Sequence, residues 1–312
     1  MIALAFALLE AHFGVAHFYP RNAVDDIIYR SNDILVNGAL DYRIPATFEH
    51  SASYATNMVA SMPLLLGALS IERGGGWKRS LLVVAVACSA LGVFLAASRS
   101  EAAVLILMVL LVTVSGKTGN LPWYGWVAIV VAVGWTVAST PRMQRFLELK
   151  DTQYVKSRVG TSVNGGFFDM MMNYPLGNGL GGGGTSIPYF LKSELKDQVE
   201  LENEYARIML EEGIPGLVMW LGFFLWVFLQ PAPRGTDEWY IGRWLALLYI
   251  FISIATAPLG TGLLNAIPST PSLLMYCGWI AAPRHHRMAK SKRRAAAMRA
   301  SQGGERFGTP DL

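Results

Sequence analysis

Seven stretches of this chain are nearly free of charge: Tyr54–Ile71, Ser80–Ser98, Ala102–Ser115, Pro122–Ser139, Gly213–Leu229, Ile241–Pro258 and Pro271–Ala282. Several reach the ~17–25 residues needed to cross a hydrocarbon core. Ala102–Ser115 and Pro271–Ala282 are short and must borrow flanking residues. Met1–Phe18 is a weaker eighth stretch, because it carries Glu10, His12 and His17. Against this background one long segment is polar, from Pro141 to Glu212. It opens with a charged stretch, Arg142–Arg158, and a short helix is expected at Gly166–Tyr174. The turn-rich Pro175–Gly184 follows, which no regular helix tolerates because each glycine costs about 1 kcal/mol there. A helix is expected to resume near Leu191 and run toward the next span, with Gly213 and Pro215 marking a break or bend. The pattern predicts an all-α, polytopic membrane protein with about eight transmembrane helices and a large extracytoplasmic loop.

Composition supports that reading. Of the 312 residues 53% are hydrophobic and only 15% charged, too apolar for an ordinary soluble domain. Cys88 and Cys277 both lie inside apolar runs and read as small buried hydrophobes, with no disulfide framework and no metal-ligand spacing. Met1–Phe18 lacks the basic start and small-residue cleavage site of a secretory signal. The sequence is equally compatible with a C-terminal part of a larger membrane protein. No fixed-period repeat is visible.

Charge sets an expected topology. The tail from Pro283 carries Arg284, Arg287, Lys290, Lys292, Arg293, Arg294, Arg299 and Arg306. Directly after a span such a run marks the cytoplasmic side and touches anionic lipid headgroups, rather than nucleic acid. Counting back, the loops at Glu72–Arg79, Gly116–Leu121 and Gln230–Tyr240, all with basic residues, fall inside. Tyr19–Ser53, Ser98–Glu101 and Pro141–Glu212 fall outside. Residues 1–283 are therefore read as a membrane domain that includes an extracytoplasmic catalytic loop at 141–212. Residues 284–312 are read as a basic cytoplasmic tail, disordered toward its end.

Several residues are candidates for chemistry. Arg99 sits in Ser98-Arg99-Ser100-Glu101 with almost no loop to lift it into water. It either lies at the headgroup level, pairing with Glu101, or faces a polar cavity and binds an anion. The planar guanidinium suits phosphate because it donates paired hydrogen bonds and keeps its charge. Arg158, with Arg142, Arg145, Lys150 and Lys156 nearby, gives the outer segment a positive field that draws anionic substrates. Gly177, Gly179 and Gly181–Gly184 suit either a backbone cradle for phosphate or a re-entrant loop. No Gly-Lys-Ser/Thr follows, so this is not a nucleotide-binding loop of the Walker type. Glu202, Glu204, Glu211 and Glu212 form an acidic cluster, and Glu202 is placed to take a proton from an attacking hydroxyl. Glu211 and Glu212 read as interfacial or as helical partners of Arg207. His50, beside Glu49, is the histidine best placed for an outer-face role.

Four stretches carry a resemblance to the O-antigen ligase and O-antigen polymerase superfamily of bacterial envelope enzymes. RIPATFEHSASYATNM, Arg43–Met58, is similar to the family's Arg-x-x-Gly-Thr-Phe segment leading into a span, with alanine where glycine is common. Ser98–Glu101 resembles its Ser-Arg-Gly motif. SRVGTSVNGGFFDMMMNYPLGNGLGGG, Ser157–Gly183, resembles its loop arginine, helix and Pro-Leu-x-Gly-x-Gly element. ENEYARIMLEEGIPGL, Glu202–Leu217, resembles its His-Asn-x-Tyr-Leu…Glu-x-Gly-x-x-Gly motif. The match covers about Arg43 to Leu229.

The resemblance implies a cofactor-free, metal-independent, inverting transfer of a glycan from a polyprenyl-diphosphate carrier, on the periplasmic face of the bacterial inner membrane. It implies that Arg99 and Arg158 hold the diphosphate, and that an acceptor glycan or lipid is the second substrate. Ligase members have histidine where this chain has Glu202, a departure that favours a polymerase. On this reading Glu202, Arg99 and Arg158 are catalytic, while Asn203, Tyr205, Gly177, Gly179 and His50 contact substrate. Tyr205 either stacks on a sugar or anchors its helix. Two other readings are a transporter or flippase of a lipid-linked saccharide and a non-catalytic partner in envelope polysaccharide assembly.

Overall fold

A computed structural model describes residues 1–20, 32–36, 39–72, 76–114, 167–180, 203–233, 238–259, 263–264, 266 and 269–282. The chain divides into two units, Met1–Ile280 and Ala281–Leu312, and the elements that bear on function belong to the first. Its helices are α1 (Ile2–Phe13), α2 (Val15–Phe18), α3 (Ser51–Ile71), α4 (Trp77–Leu95), α5 (Arg99–Val114), α6 (Phe167–Asn173), α7 (Glu204–Phe228), α8 (Tyr240–Thr256) and α9 (Ser269–Ala281). By length and composition α3, α4 and α7 are able to cross a membrane, while α1 and α8 are apolar but shorter. Among the described residues three helices thus reach spanning length where about eight spans are expected, and the expected span Pro122–Ser139 lies outside the described residues.

The helical expectation has one exception. Strands β1 (Asp33–Val36) and β2 (Ala39–Tyr42) form an antiparallel pair in which Val36 faces Ala39 and Asp33 faces Tyr42. The intervening sequence is Asn37-Gly38, the strongest short-range signal for a hairpin. An assignment guided by apolar runs alone passes over it.

Helix surfaces carry many large apolar side chains in the open. Leu81, Val84 and Leu91 on α4, Ile106, Leu107 and Leu110 on α5, and Val218, Met219, Leu225 and Trp226 on α7 are all exposed. So broad an apolar surface is the face a helix presents to lipid. The opposite faces meet in one cluster that includes Met62 and Leu66 of α3, Val93 of α4, Met108 of α5, Phe224 of α7, Ile250 of α8 and Tyr276 of α9.

Two glycines allow a close crossing of α3 and α8. A Cβ on Gly67 of α3 would lie 2.8 Å from the Gly242 Cα of α8, and a Cβ on Gly242 would lie 2.9 Å from the Pro63 carbonyl. Small residues let helix backbones approach where lipid gives no hydrophobic drive to associate. The contact joins the end of α3 to the start of α8, so the end of α8 returns toward the start of α3.

Candidate functional site

Three connections gather the candidate segments at one end of the first unit. Thr56, near the start of α3, donates a 3.0 Å hydrogen bond to Glu101, near the start of α5. The Tyr205 hydroxyl, at the start of α7, donates to the Ile254 carbonyl at the end of α8 over 2.7 Å. The antiparallel run of α3 and α8 brings these two places to the same end. His50, Arg99, Asn203 and Tyr205 therefore share one end of the helical body, while Gly177 and Gly179 lie farther along α7, beside Leu210–Gly213. Glu202 and Arg158 lie outside the described residues.

The segment before α3 is held by side chains distant in sequence. His50 occupies the helix N-cap position without making a side-chain cap. Asn32, fully buried, supplies one instead: its Oδ1 accepts from the Ser51 N–H at 2.8 Å and its Nδ2 donates to the Glu49 carbonyl at 3.0 Å. An asparagine satisfying these groups at a helix start replaces water there. His50 is half-buried, and its Nε2 lies 3.7 Å from Glu49 Oε1. Arg99 is half-buried as the first residue of α5, directly after the turn Ala96–Ser98 that ends α4.

Asn203 is the N-cap of α7. Its Oδ1 accepts from the Tyr205 N–H at 2.9 Å and the Ala206 N–H at 3.2 Å. Asn203 is expected to contact substrate; the geometry gives its side-chain oxygen to the helix start. The Tyr205 hydroxyl is taken up by the Ile254 carbonyl.

The acidic cluster is organised around a cation. Arg207 is 4% exposed. Its Nη2 lies 2.6 Å from Glu204 Oε1, and its Nη1 donates to Glu211 Oε2. Glu204 Oε1 also accepts from the Leu264 N–H at 3.1 Å. Helical spacing of three and four places all three residues on one stripe. Glu212 stands apart and accepts from Trp220 Nε1 at 3.0 Å. The expected pairing of Arg207 with Glu211 is present, and Glu204, fully buried, joins it.

The glycine turn and the helix break form one structure. α7 is interrupted at Gly213, with φ 69° and ψ −165°. Into the interruption fits the turn Pro175–Gly179. The Asn178 and Gly179 N–H groups donate to the Leu210 and Glu211 carbonyls at 2.7 and 3.1 Å, and the Ile214 N–H donates to the Pro175 carbonyl at 2.9 Å. Groups orphaned by a break inside lipid need such partners. Pro215 is accommodated because it stands in the first turn of the resumed helix, where a missing N–H costs nothing. Gly177 and Gly179, with φ of 84° and 99°, use their left-handed freedom to make this seal. The Gly177 N–H donates to the Tyr174 carbonyl. A phosphate cradle built on these N–H groups would thus require the turn to leave α7. α6, which ends one residue before the expected Tyr174, packs Phe167 and Met170 on Ala206 and Leu210 of α7, and Tyr174, just beyond it, joins them.

Both cysteines are free; Cys277 is buried and Cys88 half-buried. Among the described residues no group of three or more His, Cys, Asp or Glu side chains is placed to hold a metal ion. Sequence reading gave no role to Glu10, which entered only as a charge in a weak apolar stretch, or to Asn32, and it placed Glu204 in the acidic cluster without its buried pairing to Arg207. The first carried a signal, a carboxylate inside an apolar run, which is expensive without a reason. No family model matches the chain, and no curated protein and no solved structure is significantly similar to it.

Proposed function

We propose that this chain is a multi-pass protein of the bacterial inner membrane that transfers or polymerises a polyprenyl-diphosphate-linked glycan on the outer face. A polymerase is favoured over a ligase because Glu202 stands where ligases have histidine. The observation that carries the reading is convergence. Segments far apart in sequence, Arg43–His50, Ala96–Arg99 and Pro175–Tyr205, resemble the family's motifs, and their described parts lie toward one end of an apolar helical body. Arg99 and Arg158 would stabilise charge developing on the diphosphate leaving group. Glu202 would accept the proton of the attacking sugar hydroxyl, which becomes the new glycosidic oxygen as the carrier diphosphate departs. Asn203 and Tyr205 serve this end by fixing the start of α7 two residues beyond Glu202.

The interrupted α7 favours a second reading, a flippase of the same lipid-linked saccharide, since broken helices recur in transporters. Against it, the break at Gly213 lies where the charged part of α7, Glu204–Glu212, gives way to its apolar part, rather than within an apolar span, where transporter sites lie. Purified protein in vesicles containing a lipid-diphosphate oligosaccharide separates the readings. A lengthened glycan supports transfer, a relocated but unchanged one supports a flippase, and no change under either assay supports a non-catalytic partner.

A further inference from the structure

Glu10 is 1% exposed within Ile2–Phe13, a helix otherwise built of apolar residues and one histidine. Its Oε2 accepts from the Ala46 N–H at 2.9 Å. The Tyr19 hydroxyl donates to the Ala46 carbonyl at 3.0 Å. Both polar groups of one residue are thus fixed from the N-terminal helices. Ala46 is left-handed, with φ 52°, a conformation that alanine resists and glycine adopts freely. The second left-handed alanine of the described chain is Ala97, with φ 50°, two residues before Arg99. Ala46 and Ala96 belong to one apolar cluster with Ala7, Ile44, Tyr54 and Ala55. The turn before α3 and the turn before Arg99 therefore pack on each other, with Glu10 behind them.

We propose that Glu10 is a positioning residue: its carboxylate holds the Arg43–Phe48 segment, turned at Ala46, against the Ala96–Ser98 turn that presents Arg99. This rests on the glycan-transfer reading for its functional consequence, though not for the clamp itself. Stability alone is a poor reason for an acid here. Glu10 Oε1 and the Tyr54 hydroxyl stay buried without a hydrogen-bond partner, and an apolar side chain would avoid that penalty. What an apolar side chain cannot do is accept the Ala46 N–H. Glycine at position 46 would adopt the turn unaided, so alanine there makes the clamp necessary.

The test uses full-length protein in nanodiscs, with Cys88 and Cys277 replaced by alanine and Ile44, 1% exposed, replaced by cysteine as a reporter. The Ile44→Cys thiol should resist a water-soluble maleimide in the Glu10 and Glu10→Gln proteins, since an amide oxygen still accepts the Ala46 N–H. In Glu10→Ala it should label at least tenfold faster, and adding Ala46→Gly should restore most of the protection. Turnover of a lipid-diphosphate oligosaccharide should fall at least tenfold in kcat in Glu10→Ala, with KM changed less than threefold, and recover with Ala46→Gly. Unchanged labelling in Glu10→Ala overturns the clamp. Faster labelling with unchanged kcat overturns the positioning role and leaves Glu10 structural. If the parent protein transfers no glycan, the function reading fails, while the labelling still decides the clamp.

Discussion

Arg207 faces two buried carboxylates, Glu204 and Glu211, and the consequence of removing it is lopsided. Arg207→Ala leaves both acids buried without their cation, which destabilises by roughly 3–5 kcal/mol for a broken buried pair. A loss of detergent-resistant folded protein, read by fluorescence-detected size exclusion after heating, is the expected outcome. Asn203→Ala should cost only about 1 kcal/mol, as for other N-caps, and shift the same midpoint slightly. Function separates differently. Arg99→Ala should abolish polymer while the protein still inserts, and wild-type polymer yield from inserted Arg99→Ala would remove Arg99 from the diphosphate site. Glu202→Gln keeps shape and removes basicity; turnover equal to wild type in purified protein would move the proton acceptor elsewhere, with His50 next in line.

Among the elements, α7 is the one whose integrity depends on a distant turn. A Cβ on Gly213 would lie 2.5 Å from the Gly177 nitrogen, and a Cβ on Gly177 would run into the Glu211 carbonyl. Both positions also have positive φ. Gly177→Ala and Gly213→Ala should each destabilise by at least ~2 kcal/mol, from left-handed strain plus overpacking. Their combined effect should be clearly less than the sum, because either one expels the same turn. Thermal unfolding of the two single variants and the double variant measures this, and strict additivity would mean that turn and break are independent. The break itself was legible in sequence, since Gly213 and Pro215 are local signals acting on their own residues. So was α6, whose apolar face repeats at helical spacing. The plugging of the break by Pro175–Gly179 was not legible, because its hydrogen bonds join residues more than thirty positions apart and run between backbone groups that every sequence possesses. The same holds for Asn32, whose capping of α3 has no local sequence signature, and for the Glu10 contact with Ala46. Alanine at 46 nevertheless stands in a left-handed turn, the backbone that glycine adopts freely.

For the whole molecule, the apolar surface of α4, α5 and α7 and the length of three helices make a membrane the natural solvent. The basic loops and tail predict the orientation, with the segment from Pro141 to Glu212 outside and the tail from Pro283 inside. A cysteine at Ser162 should react with an impermeant maleimide applied to spheroplasts, while one at Ser301 should react only after permeabilisation. The reverse pattern would invert the topology and remove the outer-face site with it. The seal between Pro175–Gly179 and Gly213 bears on how this molecule can be re-engineered. A chimaera that exchanges the polar segment between α6 and α7 with that of another chain would graft half of a joint. The donor turn would have to arrive with the helix half it was fitted to, so the transferable module runs from α6 through Pro215, and its natural seam is inside the membrane-facing helix rather than at the edge of the loop.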